Sequence, residues 1–577
     1  MKIRNITIAL VTATVSLFGD SPYRCKASGN TLEADIIVVG GGAAGCVVMS
    51  QLSENGLFSV LGIEAGPNAT NDAAIQAVGL PALLLATTGR SKYFWPGWTQ
   101  TVPMAGLNGR TSDWTTGMVL GGGASINGLY YGRGSNAVYS RWEGISGSSN
   151  WSLDNILATF TALENYQGLT ITPGARGVNG PLSVLQTPTI SELTTNILLP
   201  ATTNTFSVPV VVDHNDPSVE NCIDPRAQWF IDPTGTQRAS SATAFLNSTV
   251  MTPEGQGVNG HKLFMLFEAV AVKIIFDKEG RAKKVRYMQN GKLFEARARK
   301  AVVLAGGINS SKLLQLSGIG PSAALKNAGI EPVFINENVG KHLQNHPLIF
   351  IAMLTNPAHN GIPADAPYAF TIHTVYLPVV GGSSSDPRML QILFEYFPVS
   401  PIPLLAIGFE LLNPVSEGSD TIQSDNAFQI SSADDGFYQN PVDLQNMTNA
   451  VIDYIQPLLA AMFTIDPSYI PVPGDPIYSV ILATPPWNPT AVQAYVQNNS
   501  NLSLDVHHFV GNCKMAPLNA GGVVDGDTRV YGTKNVFVVD NSICPVIPDI
   551  NTAASAMMIG LRSSQILKQV LQKDKSQ

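Results

Sequence analysis

Residues 35–45 read Asp35-Ile36-Ile37-Val38-Val39-Gly40-Gly41-Gly42-Ala43-Ala44-Gly45, and this stretch decides the fold of the N-terminal part of the chain. Its first five residues are mostly β-branched and apolar, which is typical of a strand buried on both faces of a parallel sheet. Residues 46–52 then predict a helix, and residues 59–63 predict a second strand that ends at Glu64. A strand, a glycine-rich turn, a helix and a second strand predict a dinucleotide-binding unit of the Rossmann type.

Each glycine of the turn has a physical task in such a unit. Gly40 permits the tight turn, Gly42 lets backbone N–H groups approach a pyrophosphate, and Gly45 allows the helix to pack closely on the strand. Glu64 follows about twenty residues later, where an acid accepts hydrogen bonds from a ribose 2′-hydroxyl and disfavours a 2′-phosphate. The phosphates would lie at the helix N-terminus, where unpaired N–H groups favour negative charge. The cofactor contacts predicted here are Gly40, Gly42, Ala43, Ala44, Gly45, Glu64 and Ala65.

Length and composition set the scale of the molecule. A chain of 577 residues, with 45% hydrophobic and 13% charged residues, is long enough for two domains with large cores. The formal net charge of −8 and the lack of a basic stripe argue against a nucleic-acid partner.

The N-terminus differs from the rest of the chain. Lys2 and Arg4 precede an uncharged stretch, residues 6–18, and Gly19 and Pro22 follow it. This pattern is typical of a secretory signal, so we expect residues 1–28 to form a signal peptide or a disordered tail and the mature protein to be secreted. The apolar run is too short to cross a bilayer comfortably, and no other stretch of membrane length is present.

The cysteines and the N-glycosylation sequons give little information about the fold or the function. The five cysteines are isolated, with no pair at the spacing of metal ligands, so no metal site is predicted. Asn-X-Ser/Thr sequons permit N-glycosylation, which would make the protein a glycoprotein. They begin at Asn68, Asn150, Asn247, Asn446, Asn498 and Asn501.

Five further segments follow the first in a recognisable order. Two are glycine-rich, residues 117–134 and 306–320, and three are shorter, residues 339–347, 508–515 and 538–552. Together with residues 35–64 they resemble the signature segments of the glucose–methanol–choline (GMC) flavin oxidoreductases. The resemblance extends over roughly residues 34–571.

The resemblance implies an α/β protein, α+β overall, in which two domains are interleaved along the chain. A Rossmann-like FAD-binding domain would comprise residues 33–185, 237–347 and 504–575. A substrate-binding domain would comprise residues 186–236 and 348–503, built on an antiparallel sheet flanked by helices.

The resemblance also implies FAD-dependent oxidation of an alcohol, the CH–OH donor, to an aldehyde or ketone. The flavin accepts hydride at N5, and the protein must supply a base for the hydroxyl proton. His508 matches the catalytic histidine of the family, and an imidazole can accept a proton near neutral pH. Asn551 matches the second catalytic position, where its amide can donate to the substrate oxygen. His507 should point elsewhere if the segment is a strand, where side chains alternate.

Further FAD contacts are carried over from the matching segments. A histidine of the first signature attaches FAD covalently in some relatives, and Asn127 stands near that place here, so the resemblance implies non-covalent FAD. The contacts implied in this way are Gly121, Gly122, Ser125, Asn127, Gly128, Ala271, Asp540, Asn551 and Thr552.

The sequence leaves the substrate and the electron acceptor open. The middle of the chain, for example residues 394–398 and 401–405, is rich in Phe, Pro and Leu. Such a wall suits an apolar or aromatic alcohol, although ordinary core packing explains it equally well. The acceptor could be O2 or a quinone. The main alternative activity is that of an FAD-containing hydroxynitrile lyase, which cleaves a cyanohydrin without net redox. A light-driven decarboxylase is disfavoured by His508, and a non-catalytic protein on the same fold by His508 and Asn551.

Overall fold

The structure is a computed structural model that describes residues 26–28, 31–88, 92–96, 102–111, 114, 116–398, 402–473, 477, 487–498, 502–503 and 507–573. Apart from Lys26–Ser28, the expected signal peptide lies outside the described residues. Among the helices in the described ranges, none combines the length and the apolar character needed to cross a bilayer. The four described cysteines, Cys46, Cys222, Cys513 and Cys544, are buried and form no disulfide.

The strands of the described residues are named in chain order. They are β1 Lys26–Ser28, β2 Thr31–Val39, β3 Val60–Ile63, β4 Glu164–Gln167, β5 Leu182–Gln186, β6 Cys222–Asp224, β7 Gln228–Trp229, β8 Leu263–Leu266, β9 Ala269–Phe276, β10 Ala282–Gln289, β11 Lys292–Leu304, β12 Ile319–Gly320, β13 Phe334–Ile335, β14 Lys341–Leu343, β15 Leu348–Leu354, β16 Thr371–Leu377, β17 Leu390–Phe397, β18 Leu404–Leu411, β19 Gly418–Thr421, β20 Ser432–Asp434, β21 Leu502–Ser503 and β22 Val536–Val538.

The α-helices are named in the same way. They are α1 Ala43–Ser53, α2 Ala73–Gln76, α3 Leu80–Thr88, α4 Gly123–Ile126, α5 Asn136–Ser146, α6 Leu153–Leu163, α7 Leu199–Thr205, α8 Ser241–Phe245, α9 Asn309–Leu316, α10 Ser322–Asn327, α11 Pro441–Ala450, α12 Gln456–Ile465, α13 Pro489–Asn498 and α14 Ala553–Lys573.

The first large sheet contains the predicted Rossmann unit. Its strand order is β8-β3-β2-β11-β10-β9, and β22 also pairs with β11. Strands β8, β3, β2, β11 and β22 run parallel, whereas β9 and β10 are antiparallel to their neighbours. Helix α1 follows β2 directly, as the pattern predicts, and α14 packs closely on it: a Cβ at Gly560 would lie 2.8 Å from the carbonyl oxygen of Ala44.

The second large sheet is antiparallel throughout, in the order β21-β15-β18-β17-β16-β6. Its buried face forms a separate apolar core with helices α7, α11, α12 and α13. The fold class is therefore confirmed: a mixed α/β chain with one largely parallel sheet and one antiparallel sheet. The strands of the second sheet fall within residues 186–236 and 348–503, while the exact domain boundaries remain a prediction.

Candidate active site

A cavity of about 740 Å³ lies where the glycine turn after β2 meets the antiparallel sheet. Its walls combine the turn and helix N-terminus of the Rossmann unit with β15, β17 and β18 of the second sheet. Most of the predicted site residues line it, namely Gly40, Gly42, Ala43, Ala44, Glu64, Ala65, Gly122, Asn127, Gly128, Ala271, His508, Asp540, Asn551 and Thr552. Gly45, Gly121 and Ser125 are not among the lining residues.

The geometry of the glycine turn fits a dinucleotide. Gly40 has a φ of +99°, and a Cβ there would lie 2.5 Å from the carbonyl oxygen of Ala305. A Cβ at Gly45 would lie 2.0 Å from the carbonyl oxygen of Gly40, so this residue serves the packing of helix on turn. At Gly42 the nearest atom to a Cβ is 3.6 Å away, which leaves room for a ligand beside the backbone. Helix α1 has no side-chain cap, so its N-terminal N–H groups are available to phosphates.

Glu64 is held at the end of β3 by backbone hydrogen bonds. The N–H of Gly41 donates to its Oε2 at 2.6 Å, and the N–H of Gly66 donates to its Oε1 at 2.7 Å. Burial raises the pKa of the Glu64 carboxyl to about 7, although the backbone donors oppose this shift. The fixed carboxyl lines the cavity where the sequence predicts a ribose contact.

Gly121 and Ser125 shape the loop that covers the glycine turn. The N–H of Gly121 donates to the carbonyl oxygen of Gly41 at 2.7 Å, and the hydroxyl of Ser125 donates to the carbonyl oxygen of Leu120 at 2.7 Å. A Cβ at Gly122 would lie 2.9 Å from the Cα of Gly42, so the two backbones approach closely. These residues therefore position the cofactor cradle, and Gly122 also lines it.

A buried arginine that sequence reasoning missed lies behind Asn127. Arg238 donates from Nη1 to Oδ1 of Asn127 at 2.6 Å and from Nε to the carbonyl oxygen of Ile75 at 2.9 Å. Burial lowers the pKa of its guanidinium to about 9. The bond to Arg238 uses the oxygen of Asn127 and so orients the amide beside the cavity.

Asp540 anchors the second glycine-rich segment. Its Oδ2 accepts hydrogen bonds from the N–H of Gly307 at 3.0 Å and from the hydroxyl of Ser310 at 2.6 Å. Burial raises the pKa of Asp540 to about 6. The carboxyl thus joins the loop after β22 to the turn before α9, and both border the cavity.

The two predicted catalytic residues are in contact, although 43 positions separate them in the chain. Nδ2 of Asn551 lies 3.2 Å from Nε2 of His508. The backbone N–H of His508 donates to Oδ1 of Asn345 at 3.1 Å, which fixes the main chain at this point. The Oδ1 atom of Asn551 is buried and has no hydrogen-bond partner among the described residues, so this amide retains a free acceptor.

Two further buried residues, Glu410 and His346, complete the site, and sequence reasoning did not assign them. Oε1 of Glu410 lies 3.0 Å from Nδ1 of His508 and 2.9 Å from Nδ1 of His346. Nε2 of His346 faces the carbonyl oxygen of Leu412 at 3.1 Å. Because the carbonyl oxygen of Leu412 only accepts, His346 donates to it from Nε2, and its Nδ1 also lies 3.0 Å from Nδ1 of His508. When His508 donates from Nδ1 to Glu410, its Nε2 accepts from Nδ2 of Asn551.

The pKa values of Glu410 and His508 depend on burial and on the contacts between these side chains. Burial favours the neutral form of Glu410, but His508 and His346 outweigh it and lower the pKa of this carboxyl to about 2. Burial lowers the pKa of His508, and His346 and His507 add to this effect, whereas Glu410 opposes it. The carboxylate is therefore ionised and the His508 imidazole is neutral near pH 7, a state in which an imidazole can accept a proton.

The same three side chains are of types that bind metal ions. Oε1 of Glu410 and the Nδ1 atoms of His346 and His508 lie 2.9–3.0 Å from one another, which is within hydrogen-bond distance.

One prediction about this segment is wrong. His507 was expected to point away from His508 on a strand, but residues 507–509 form no strand and His507 has a φ of +60°. This backbone turn breaks the alternation of side chains, and both histidines line the cavity.

The glycine turn, the paired His508 and Asn551 and the cavity between the two large sheets are typical of an enzyme that binds a dinucleotide cofactor. Comparison with known families is in agreement, since the models of the N- and C-terminal GMC oxidoreductase domains match residues 34–348 and 414–560. The chain belongs to the GMC oxidoreductase family.

Individual relatives support this assignment along nearly the whole chain. The chain is 28% identical to a pyranose dehydrogenase of Agaricus campestris, with 90% of each chain covered. It is 27% identical to an alcohol dehydrogenase [acceptor] of Pseudomonas putida, with 92% of this chain and 95% of the relative covered. A formate oxidase structure from Aspergillus oryzae shares the fold, with a TM-score of 0.79 and 21% sequence identity. The match covers 95% of this chain and 100% of the formate oxidase chain.

The family assignment establishes the general activity. The chain is an oxidoreductase that acts on CH–OH groups, and GMC oxidoreductases depend on FAD. The glycine turn, the uncapped helix N-terminus and the cavity of about 740 Å³ fit that cofactor.

Proposed function

We propose that this protein oxidises an apolar or aromatic alcohol to the aldehyde or ketone, with His508 as the base and FAD held without a covalent bond. The observation that carries the proposal is the bond from Nδ1 of His508 to Glu410 at 3.0 Å. With Nδ1 donating to Glu410, the lone pair of His508 is on Nε2, which accepts from Nδ2 of Asn551 at 3.2 Å in the cavity that the glycine turn also lines.

The hydroxyl proton and the hydride of the alcohol are transferred to different acceptors. Nε2 of His508 takes the hydroxyl proton, and the resulting positive charge is offset by the ionised Glu410 behind the ring. Bound FAD supplies the acceptor for the hydride at its N5. Asn551 donates from its amide to the substrate oxygen, where negative charge develops as the C–H bond breaks.

The cavity wall opposite the glycine turn favours an apolar body in the substrate. Strands β15 and β17 contribute aromatic and aliphatic side chains there, with Phe370 just before β16: Leu348, Phe350, Phe370, Leu393 and Phe397. Burying a ring against such a wall is favourable in proportion to the apolar area removed from water.

Non-covalent attachment rests on Asn127, which stands near the place where some relatives carry the attaching histidine. Its amide oxygen is engaged by Arg238 at 2.6 Å, and an amide offers no nucleophile for a covalent bond to the flavin. We expect acid precipitation of the protein to release all the flavin into the supernatant, where absorbance measures it. Yellow colour retained in the pellet would contradict non-covalent binding.

The test of the proposed activity is an anaerobic titration of the purified flavoprotein with aryl, allyl and aliphatic alcohols. We expect an aryl alcohol to bleach the oxidised flavin absorbance near roughly 450 nm. Flavin that stays oxidised while mandelonitrile is cleaved would overturn the proposal in favour of a hydroxynitrile lyase. Reoxidation by O2 and by a quinone, measured separately on the reduced protein, then identifies the acceptor.

A further inference from the structure

His346, Glu410 and His508 bring three potential metal-ligand atoms together. Oε1 of Glu410 lies 2.9 Å from Nδ1 of His346 and 3.0 Å from Nδ1 of His508, and the two Nδ1 atoms lie 3.0 Å apart. All three side chains are buried. The three atoms therefore form a nearly equilateral triangle of two imidazole nitrogens and one carboxylate oxygen.

The triangle holds fewer protons than it has edges. Nε2 of His346 donates to the carbonyl oxygen of Leu412 at 3.1 Å, so the lone pair of a neutral His346 is on Nδ1. Glu410 is ionised near neutral pH and has no proton to donate. The Nδ1 atom of His346 then faces Oε1 of Glu410 at 2.9 Å, lone pair to lone pair, and the only proton inside the triangle is on Nδ1 of His508. A metal ion in place of that proton would accept a lone pair from each of the three atoms.

The size of the triangle suits a small divalent ion. Zinc binds imidazole nitrogen and carboxylate oxygen at about 2.0–2.2 Å, so neighbouring ligand atoms of a tetrahedral site lie about 3.3 Å apart. The edges of 2.9–3.0 Å need to lengthen only slightly to reach this spacing. The rings of His346 and His508 are inclined at 81° to each other, so they approach the triangle from different directions. Two histidines and one glutamate are also a ligand set that zinc uses in proteins.

The surroundings of the triangle suit a metal site as well. The carbonyl oxygen of Leu412 holds the second ring nitrogen of His346, as outer partners of metal-bound histidines do. Oδ1 of Asn551 is buried and has no hydrogen-bond partner among the described residues, so a rotated amide can accept from Nε2 of His508. Glu410 and His508 line the cavity, and His508 is 8% exposed, which gives an ion from solvent a route to the triangle when no substrate is bound.

We propose that His346, Glu410 and His508 bind one divalent ion of the zinc type, and that this ion inhibits the enzyme. The metal takes the place of the proton on Nδ1 of His508, and the ring takes up a proton from solvent on Nε2, so the imidazole still carries one proton. Its two nitrogens are then both occupied, and no lone pair remains for the hydroxyl proton of a substrate. Binding of the ion is independent of the proposed function, whereas inhibition rests on it, because it assumes that His508 is the base.

Calorimetric titration of the FAD-loaded protein with ZnCl2 tests the site without any substrate. The variant His346→Asn keeps an N–H donor in the side chain but lacks the imidazole ligand. The control is His342→Ala, since Nδ1 of His342 lies 2.6 Å from Oε2 of Glu417 and neither residue lines the cavity. It removes a second histidine–carboxylate pair away from the proposed site. The flavin spectrum shows whether each variant is folded, and Glu410→Gln replaces His346→Asn if the latter does not retain FAD.

We expect the wild type and His342→Ala to bind one zinc ion per chain with equal affinity. In His346→Asn the affinity should fall at least about 10-fold, because changes to the outer partners of a metal site alone cost about 10- to 100-fold. A wild-type protein that binds no zinc, or equal affinity in the wild type and His346→Asn, would overturn the proposal.

Copper(II) identifies the ligands directly. Oxidised FAD has no unpaired electron, so the EPR spectrum of the protein with one equivalent of Cu2+ arises from the metal alone. Imidazole is a good ligand for this ion. We expect nitrogen superhyperfine splitting from two imidazoles in the wild type and in His342→Ala, and from one in His346→Asn. Identical spectra of the wild type and His346→Asn would show that the ion binds elsewhere and would overturn the assignment.

Anaerobic flavin reduction separates this inference from the proposed function. The rate with an alcohol that reduces the flavin is measured without zinc, with saturating zinc and after addition of EDTA. We expect zinc to lower the rate at least about 100-fold and EDTA to restore it, since a positioned base contributes about 10²- to 10⁴-fold. Absence of zinc binding, with flavin reduction still lost in His508→Ala, contradicts only the metal site. Zinc bound at these three residues with an undiminished rate contradicts the inhibition and the assignment of His508 as the base.

Discussion

Nδ1 of His508 lies 3.0 Å from Oε1 of Glu410, and this bond joins the segment between β21 and β22 to strand β18 of the antiparallel sheet. The carboxylate accepts the proton on Nδ1 and so selects the tautomer whose lone pair is on Nε2. Burial alone would raise the pKa of the Glu410 carboxyl, but His508 and His346 together lower it to about 2. The tautomer of His508 is therefore set by a residue of the antiparallel sheet.

Replacing His508 by alanine removes the proposed base. We expect the rate of anaerobic flavin reduction by an alcohol to fall about 10²- to 10⁴-fold, which is the usual contribution of a positioned base. The cofactor should remain bound, because the glycine turn is untouched, and the visible spectrum checks this. His359→Ala is the control, since His359 contacts Tyr469, a residue that does not line the cavity. A His508→Ala protein that reduces its flavin at the wild-type rate would rule out the assigned base.

Glu410→Gln keeps the shape of the side chain but removes its charge. His508 and His346 then contact a neutral amide, which can accept through its oxygen or donate through its nitrogen and so no longer fixes the tautomer of His508. We expect kcat to fall about 10- to 100-fold. We also expect the free energy of unfolding to fall by about 1–3 kcal/mol, because buried hydrogen bonds to a charged acceptor are weakened. Stopped-flow reduction and chemical denaturation measure the two effects. The exposed Glu331→Gln is the matched control, and wild-type values for Glu410→Gln would contradict its role.

The pH dependence of kcat/KM reports the base in the free enzyme. His508 must be neutral to accept a proton, and its pKa is lowered from the ordinary value of 6.5 by burial and by His346 and His507. We therefore expect kcat/KM for a neutral alcohol to be constant above about pH 6.5 and to fall only at lower pH, as the imidazole becomes protonated. In Glu410→Gln the carboxylate no longer raises this pKa, so the acidic limb should move to still lower pH. A limb above about pH 7 in the wild type would contradict the lowered pKa.

The cofactor half of the site could be predicted well from local sequence. The turn at residues 40–45 places each glycine through short-range backbone geometry, which a motif encodes directly. The contact between His508 and Asn551 followed from the resemblance, and the structure brings the two side chains together.

The rest of the site depends on strand pairing between distant segments, which no local pattern specifies. Glu410 and Glu395 had a signal in the sequence: each is the only charged residue in an apolar strand, Leu404–Leu411 and Leu390–Phe397. A lone acid in such a strand indicates a partner or a ligand. Only the register of β17 on β18 shows that Glu410, and not Glu395 four residues further along the sheet, lies beside His508.

Three glycine substitutions distinguish glycines that leave room for FAD from glycines that are needed for packing. In Gly42→Ala the new methyl meets no protein atom closer than 3.6 Å, so the fold should persist while the methyl narrows the cradle; we expect FAD affinity to fall about 10-fold or more. In Gly45→Ala the methyl would lie 2.0 Å from the carbonyl oxygen of Gly40, so we expect loss of stability as well. Gly144→Ala, exposed within α5 and free of contacts, is the control and should stabilise the protein by up to about 1 kcal/mol. Titration of the apoprotein with FAD and thermal unfolding measure the outcomes. Equal FAD affinity in Gly42→Ala and wild type would contradict the cradle.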